Sequence, residues 1–173
     1  MRLAFAILLI GSALSAQLIP HTEAEALSGK KVVLPDAFAG HPALFTIGFS
    51  RNGGDSAGRW GKDLRKELAG LSDVHFYSVA VLQDAPKLMR GMIRHGMRSG
   101  TPKAEQDSFI VLEQDEDAWK KVAGFADPND AYILLVDSAG NVRWRTHGKS
   151  PDQQTLSAVK DEVAKLTQAG IAR

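Results

Sequence analysis

"LFTIGFSRNGGDSAGRW", residues 44–60, is the stretch whose reading decides the fold. It begins within an apolar run of β-favouring residues, Ala43 to Phe49, that reads as a buried strand. The polar, glycine-bearing segment after it reads as a turn. Trp60, Leu64 and Leu68, spaced by four, then predict a helix with one apolar side that ends at Gly70. Asp55 or Ser56 is the expected cap, because a short side chain with an acceptor oxygen satisfies the free N–H groups of a first helical turn.

Outward from this unit, helical and strand periodicities alternate. Val32 to Leu34 is a strand signal, separated from the central strand by a Gly40-His41-Pro42 turn, and "VHFYSVAVL", residues 74–82, is a further strand. Asp84 and Pro86 open a helix carrying Leu88, Met89, Met92, Ile93 and Met97. "SFIVL", residues 108–112, reads as a short buried strand, and "DEDAWKKVAGF", residues 115–125, as a short helix with Trp119 and Val122 inward. In "AYILLVDSAGNVRWRTHG", residues 131–148, a buried strand turns through Asp137 to Gly140 into a partner strand. Asp152 caps a last amphipathic helix using Leu156, Val159, Val163 and Leu166. The expected order is β-β-α-β-α-β-α-β-β-α, which packs economically as one mixed sheet with helices on both faces.

Composition bounds the chemistry. The chain has 173 residues, 44% of them apolar and 24% charged, which suits one domain with one continuous core. "MRLAFAILLIGSALSAQ", residues 1–17, joins a basic Arg2 to an apolar run and a small-residue patch, the layout of a secretory signal peptide cleaved near Ser15 or Ala16. The expected organisation is a leader over 1–16, a polar lead over 17–30, a domain over 31–168 and a tail over 169–173. The expected destination is the periplasm, as a soluble product after cleavage. Losing Arg2 takes the 21 basic residues to 20, equal to the 20 acidic ones, so no net field supports a nucleic-acid partner. The sequence contains no cysteine, which excludes disulfides, thiol–disulfide exchange and peroxidatic thiols.

The strand, the helix from its turn, the second strand, the "LLVDSAGNVRW" hairpin and the last helix together resemble the thioredoxin-like superfamily. The resemblance implies an α/β, three-layer sandwich with a mixed β-sheet and helices on both faces. In thiol–disulfide members a hairpin of this kind follows a cis-proline that faces two cysteines. Placing Leu135-Val136-Asp137 on that pattern puts Ala131 at the proline, and placing Phe49-Ser50 at the strand end puts Gly53 and Ser56 at the cysteines. Within the superfamily, three blocks are similar to the thioredoxin-like ATP-synthase assembly factors known from mitochondria: "TIGFSRNGGDSAGRW" (46–60), "MRGMIRHGMRSGTPKAEQDSFIVL" (89–112) and "DAYILLVDSAGNVRWRTHG" (130–148). That resemblance implies a chaperone for membrane-sector subunits of the synthase that needs no catalytic thiol.

The expected function is therefore a non-catalytic binding or assembly module for a protein client, with no cofactor, no metal and no catalytic residue. Its expected contact surface joins the turn Ser50, Arg51, Asn52, Gly53, Gly54, Asp55 and Ser56 to Arg90, Arg94 and Arg98 and to Ala131 opposite. The glycines of the turn are compatible with anion binding by backbone N–H groups, but the terminal lysine of a nucleotide loop is missing. Lys87, Arg90, Arg94 and Arg98 form a basic stripe at helical spacing beside the Met-Ile face. That face is expected to pack on the sheet with the arginines in water, or the arginines to meet anionic lipid or an acidic partner in a peripheral membrane contact. Two alternatives stand beside this reading: a divergent thioredoxin or peroxiredoxin-type oxidoreductase by fold only, and a periplasmic Cu(I) protein using Met89, Met92, Met97 and His95. The five histidines have no i, i+4 pair, and His75 is expected in the core.

Overall fold

The computed structural model of the chain describes residues 17–71 and 73–171. Residues 1–16, read as a leader, lie outside them. Seven strands form one sheet: β1 (Thr22–Ala26), β2 (Lys31–Leu34), β3 (Ala43–Gly48), β4 (His75–Val81), β5 (Phe109–Leu112), β6 (Ala131–Val136) and β7 (Val142–Gly148). Helices α1 (Arg51–Glu67), α2 (Lys87–Gly100), α3 (Glu116–Ala123) and α4 (Gln153–Ile171) connect or follow them.

The sheet order is β2-β1-β5-β4-β3-β6-β7. β3, β4 and β5 run parallel, and the other neighbours are antiparallel. A parallel pair needs a crossover, which α1 supplies between β3 and β4 and α2 between β4 and β5. β3 and β6 are buried at every residue, as continuous apolar runs in a sheet covered on both sides must be.

Alternation along these strands builds two cores. Leu44, Ile133 and Leu135 face α1 and α4, where they meet Trp60, Leu64, Val159 and Val163. Phe45, Ile47, Tyr132 and Leu134 face the other way, onto α3 through Trp119 and Val122. Ile110 and Leu112 of β5 join this second core, so the intervening Val111 points to the α1 side, where it packs with Leu27 and Leu82 under α2. The mixed sheet with helices on both faces is as the sequence predicts, and all four helices sit where its periodicity puts them.

The polar lead is where the structure adds an element. Residues 22–26, "TEAEA", form β1, which pairs with β2 on one side and β5 on the other. Glutamate and alanine disfavour strands, so nothing local announces one. Thr22 and Ala26 are nonetheless buried, and Thr22 Oγ1 accepts a 3.2 Å hydrogen bond from the indole of Trp119. Pairing on both edges outweighs propensity. His75 is a correction: it is exposed at the start of β4 and stacks on His41 at 5.0 Å between ring centroids, because the parallel register sets it opposite Ala43, just past the turn.

Candidate functional site

The C-terminal ends of β3, β4 and β5 and the N-terminal end of β6 share one edge of the sheet, so the segments that leave or enter there come together. These are the start of α1, residues 82–86 ahead of α2, Glu113 ahead of α3, and residues 127–130 ahead of β6.

The start of α1 differs from the expected turn. The helix begins at Arg51, and its cap is Ser50, whose Oγ accepts from the Gly53 N–H at 3.0 Å; neither Asp55 nor Ser56 caps it. "RNGGDS" is thus the first turn and a half of a helix. Two glycines stand where backbones approach closely: a Cβ on Gly48 would lie 2.5 Å from the Gly54 nitrogen, and one on Gly53 would lie 2.8 Å from Pro128 O and 3.0 Å from Asp130 O.

Residues 127–130 are stitched onto this helix. The Ser50 hydroxyl donates to Pro128 O, Asn52 Nδ2 donates to Asn129 Oδ1 at 2.9 Å, and the Ser56 hydroxyl donates to Asn129 O at 2.9 Å. Ser56 Oγ also accepts from Arg59, whose Nε donates to Lys149 O at 3.1 Å. The loop is braced from within: Asp127 Oδ1 accepts from the backbone N–H and side chain of Asn129, and those bonds hold the Asp127 carboxyl below its ordinary range. The Tyr132 hydroxyl takes the N–H groups of Ala126 and Asp127, and His147 Nδ1 lies 2.7 Å from Asp130 Oδ2. What stays open is a shallow polar depression of about 300 Å³ lined by Asn52, Asp55, Ser56, Arg59, Asn129 and Lys149.

Gly53 and Ser56, the positions matched to the cysteines, are therefore occupied differently. Ser56 is buried and spends its hydroxyl on the loop, and Gly53 leaves no room for any side chain. Of the expected contact residues, Arg51, Asn52, Gly54 and Asp55 are exposed and Ser50 is partly so, whereas Gly53 and Ser56 are buried. Ala131 is fully buried in β6 and presents no side chain to a partner. The sequence reading missed Asn129, Arg59 and Lys149. The "DPND" run at 127–130 was the available signal, since the thioredoxin pattern that assigns Ala131 also sets the residues before it against α1.

The arginines of α2 correct the expectation most. Arg90 and Arg94 are largely withdrawn from water, and Arg98, though exposed, is tied down at one nitrogen. Arg90 donates to Ala85 O at 3.0 Å and to Gln83 O at 2.6 Å, and its other nitrogen lies 3.5 Å from Glu113. Arg94 reaches Glu113 at 2.6 Å and Glu25 at 3.0 Å, and Arg98 donates to Leu27 O. The Arg94 hydrogen bond, more than any other cause, holds the Glu113 carboxyl below its ordinary value of 4.5. Ile93 and Met97 pack over Leu27, Leu82 and Val111, but Leu88, Met89 and Met92 face solvent. Met97 thus lies on the packed side, apart from the exposed Met89 and Met92, which disperses the thioethers of the copper reading.

A family model described as ATP10 protein matches residues 12–165. The chain belongs to the ATP10 protein family. A search of curated proteins finds no match. Among solved structures, this ATP10-family chain is similar to BsSco, a member of the Sco family of cytochrome c oxidase assembly proteins, at TM-score 0.63 and 17% identity over 87% of this chain and 93% of that one. The thioredoxin domain of a thiol-disulfide oxidoreductase from Bacteroides vulgatus gives TM-score 0.59 at 17% identity, covering 87% of this chain and 99% of that one. A DsbE-type thiol:disulfide interchange protein from Chlorobium tepidum gives 0.59 at 12%, covering 87% and 96%. At such identities the likeness is one of fold, and it places the ATP10-family chain on a thioredoxin-like scaffold.

Proposed function

We propose that this chain is a non-catalytic assembly factor that engages a protein client of ATP-synthase assembly through the sheet edge where α1 begins. The observation that carries the reading is the match to the ATP10 protein family across residues 12–165. The chemistry of the edge supports it: a chain without cysteine has no thiol to exchange, and hydrogen bonds from Ser50, Asn52 and Ser56 fill the place of a redox centre. What remains accessible is a polar, mixed-charge surface from Arg51, Asn52, Asp55, Arg59 and Lys149, suited to reading a partner's backbone and polar groups. The leader-like residues 1–16 support export to the periplasm as the compartment of action.

A photo-activatable residue at Asp55, whose side chain makes none of the hydrogen bonds that join the loop to α1, tests this in the native host. Crosslinking to a membrane-sector subunit of the synthase is the expected result. Efficient crosslinking that captures no synthase subunit would contradict the proposal, and thiol-independent turnover of a redox substrate by the purified chain would contradict its non-catalytic part.

A further inference from the structure

β7 is a free edge of the sheet. It spans seven residues, Val142–Gly148, pairs with a strand on one side only, and from Trp144 to Gly148 keeps an unbroken register with β6. The opposite edge, β2, has only four residues and runs straight into the turn at Asp36–Phe38. An edge strand leaves a row of backbone N–H and C=O groups without partners, and short strands or prolines are common ways of blunting it. β7 has neither.

The chain's own residues pair on this edge. Just past the hairpin turn the Val142 N–H donates to Gln17 O at 2.8 Å, the Ile19 N–H donates to Gly140 O at 3.0 Å, and Leu18 bridges Asn141 in the antiparallel sense. Among the described residues that pairing stops there, and the outer side of residues 143–148 has no strand against it. The far end of β7 leads into the polar depression beside α1. Trp60 Nε1 donates to Gly148 O at 2.9 Å, Arg59 Nε donates to Lys149 O at 3.1 Å, and Lys149 lines the depression.

Charge selects the occupant. Residues 142–149, "VRWRTHGK", carry Arg143, Arg145 and Lys149 and no acid. Asp137 answers Arg143 and Asp130 lies against His147, which leaves Arg145 and Lys149 with no carboxylate in ion-pair range among the described residues. Arg145 and His147 stand on the α3 face of the sheet, where Arg145 donates to Val122 O and His147 stacks on Tyr132. Trp144 and Thr146 stand on the other face, where Trp144 packs partly against the core under α1 and α4. A strand laid beside β7 presents alternate side chains to these two faces, so acids suit the first and apolar groups the second. A second copy of the chain fits poorly: antiparallel pairing centred on the strand sets Arg145 beside its own counterpart, and like charges directly opposite are destabilising. Residues 1–16 fit poorly too, since their one charged side chain is Arg2.

We infer that β7 binds an extended segment of the protein client by antiparallel strand addition, a segment alternating acidic with apolar residues whose N-terminal end lies at the depression. Backbone hydrogen bonds supply the attraction, and Arg145 and Lys149 supply the selection. The inference rests on the reading of the chain as a client-binding module, not on which client it serves.

The probe is a capped peptide of alternating glutamate and valine, added to the full-length chain while backbone amide exchange is followed by NMR. Slowed exchange at the outward-facing amides of residues 143–148 is expected. The same peptide with lysine in place of glutamate should bind about fivefold more weakly, and Arg145→Glu should reverse that preference. Arg145 is exposed, and slow exchange retained in β3 shows that the variant is folded. Methylating either the valine nitrogens or the glutamate nitrogens of the peptide should abolish binding in one case only, because a strand turns one row of N–H groups toward its neighbour. No change at residues 143–148, or equal binding by both methylated peptides, would overturn the inference. Slow exchange at those outward amides before peptide is added would also overturn it, in favour of a second copy if it grows with concentration and of residues 1–16 if it does not. Capture of a synthase subunit at Asp55 with no protection at β7 overturns strand addition alone, and the reverse overturns the choice of client alone.

Discussion

Single residues set the character of the α1 edge. Gly53 is the clearest case, because a Cβ there meets two carbonyl oxygens at 2.8 and 3.0 Å that belong to the loop the helix must hold. Gly53→Ala is expected to cost about 1–3 kcal/mol, read as a lower melting temperature. Ser56→Ala leaves Asn129 O without its donor and should cost about 1–2 kcal/mol without changing the secondary structure seen by circular dichroism. Glu113 makes a pH prediction. Its carboxyl is held below 4.5 mainly by the Arg94 hydrogen bond, so its contribution is present above the ordinary glutamate value and is lost as pH falls through the lowered folded value. With the carboxylate more than a third exposed, that contribution is under about 1 kcal/mol. Glu113→Gln should lower stability near neutral pH and flatten its decline in acid; an unchanged acid limb in denaturant titrations would contradict the assignment.

At the scale of elements, α2 is the one whose face could not be read from its letters. The notable feature of "KLMRGMIRHGMRSG" is two stripes, one apolar and one basic, either of which can face a protein. Periodicity locates a helix but does not rank its faces when the surface beneath offers carboxylates and free carbonyls. Glu25 lies on a strand that the sequence does not announce, and the carbonyls of Gln83, Ala85 and Leu27 carry no side-chain signature. The glycines of α2 sharpen the point: a Cβ at Gly96 meets nothing within 4 Å, so Gly96→Ala should raise stability by up to about 1 kcal/mol through helix propensity alone. Elsewhere the elements were legible. Apolar runs long enough to be buried on both faces, as in β3 and β6, and four-residue spacing, as in α1 and α4, leave a single packing solution. The cap of α1 was not, because Ser50, Asp55 and Ser56 are all capable residues and only the position of the loop at 127–130 selects among them.

For the whole molecule, the sheet order carries a consequence of its own. β1 lies between β2 and β5, so the first described segment is internal to the sheet and not an appendage. Deleting residues 17–30 should disconnect β2, strip Thr22 from Trp119 and abolish cooperative unfolding; a deletion variant that still unfolds in one sharp transition would contradict this placement. The scaffold that results is thioredoxin-like, with hydrogen-bonded serines and asparagines at the α1 edge, and it belongs to a family named for ATP10. The thioredoxin scaffold is widely used for redox work, yet function resides in the site grafted onto it, and here the grafted site holds no thiol. The most direct measurement is the amount of assembled ATP synthase, resolved on native gels, in a host lacking this chain. Assembly should fall and should recover when the cysteine-free protein is restored. Full assembly in its absence would contradict the account.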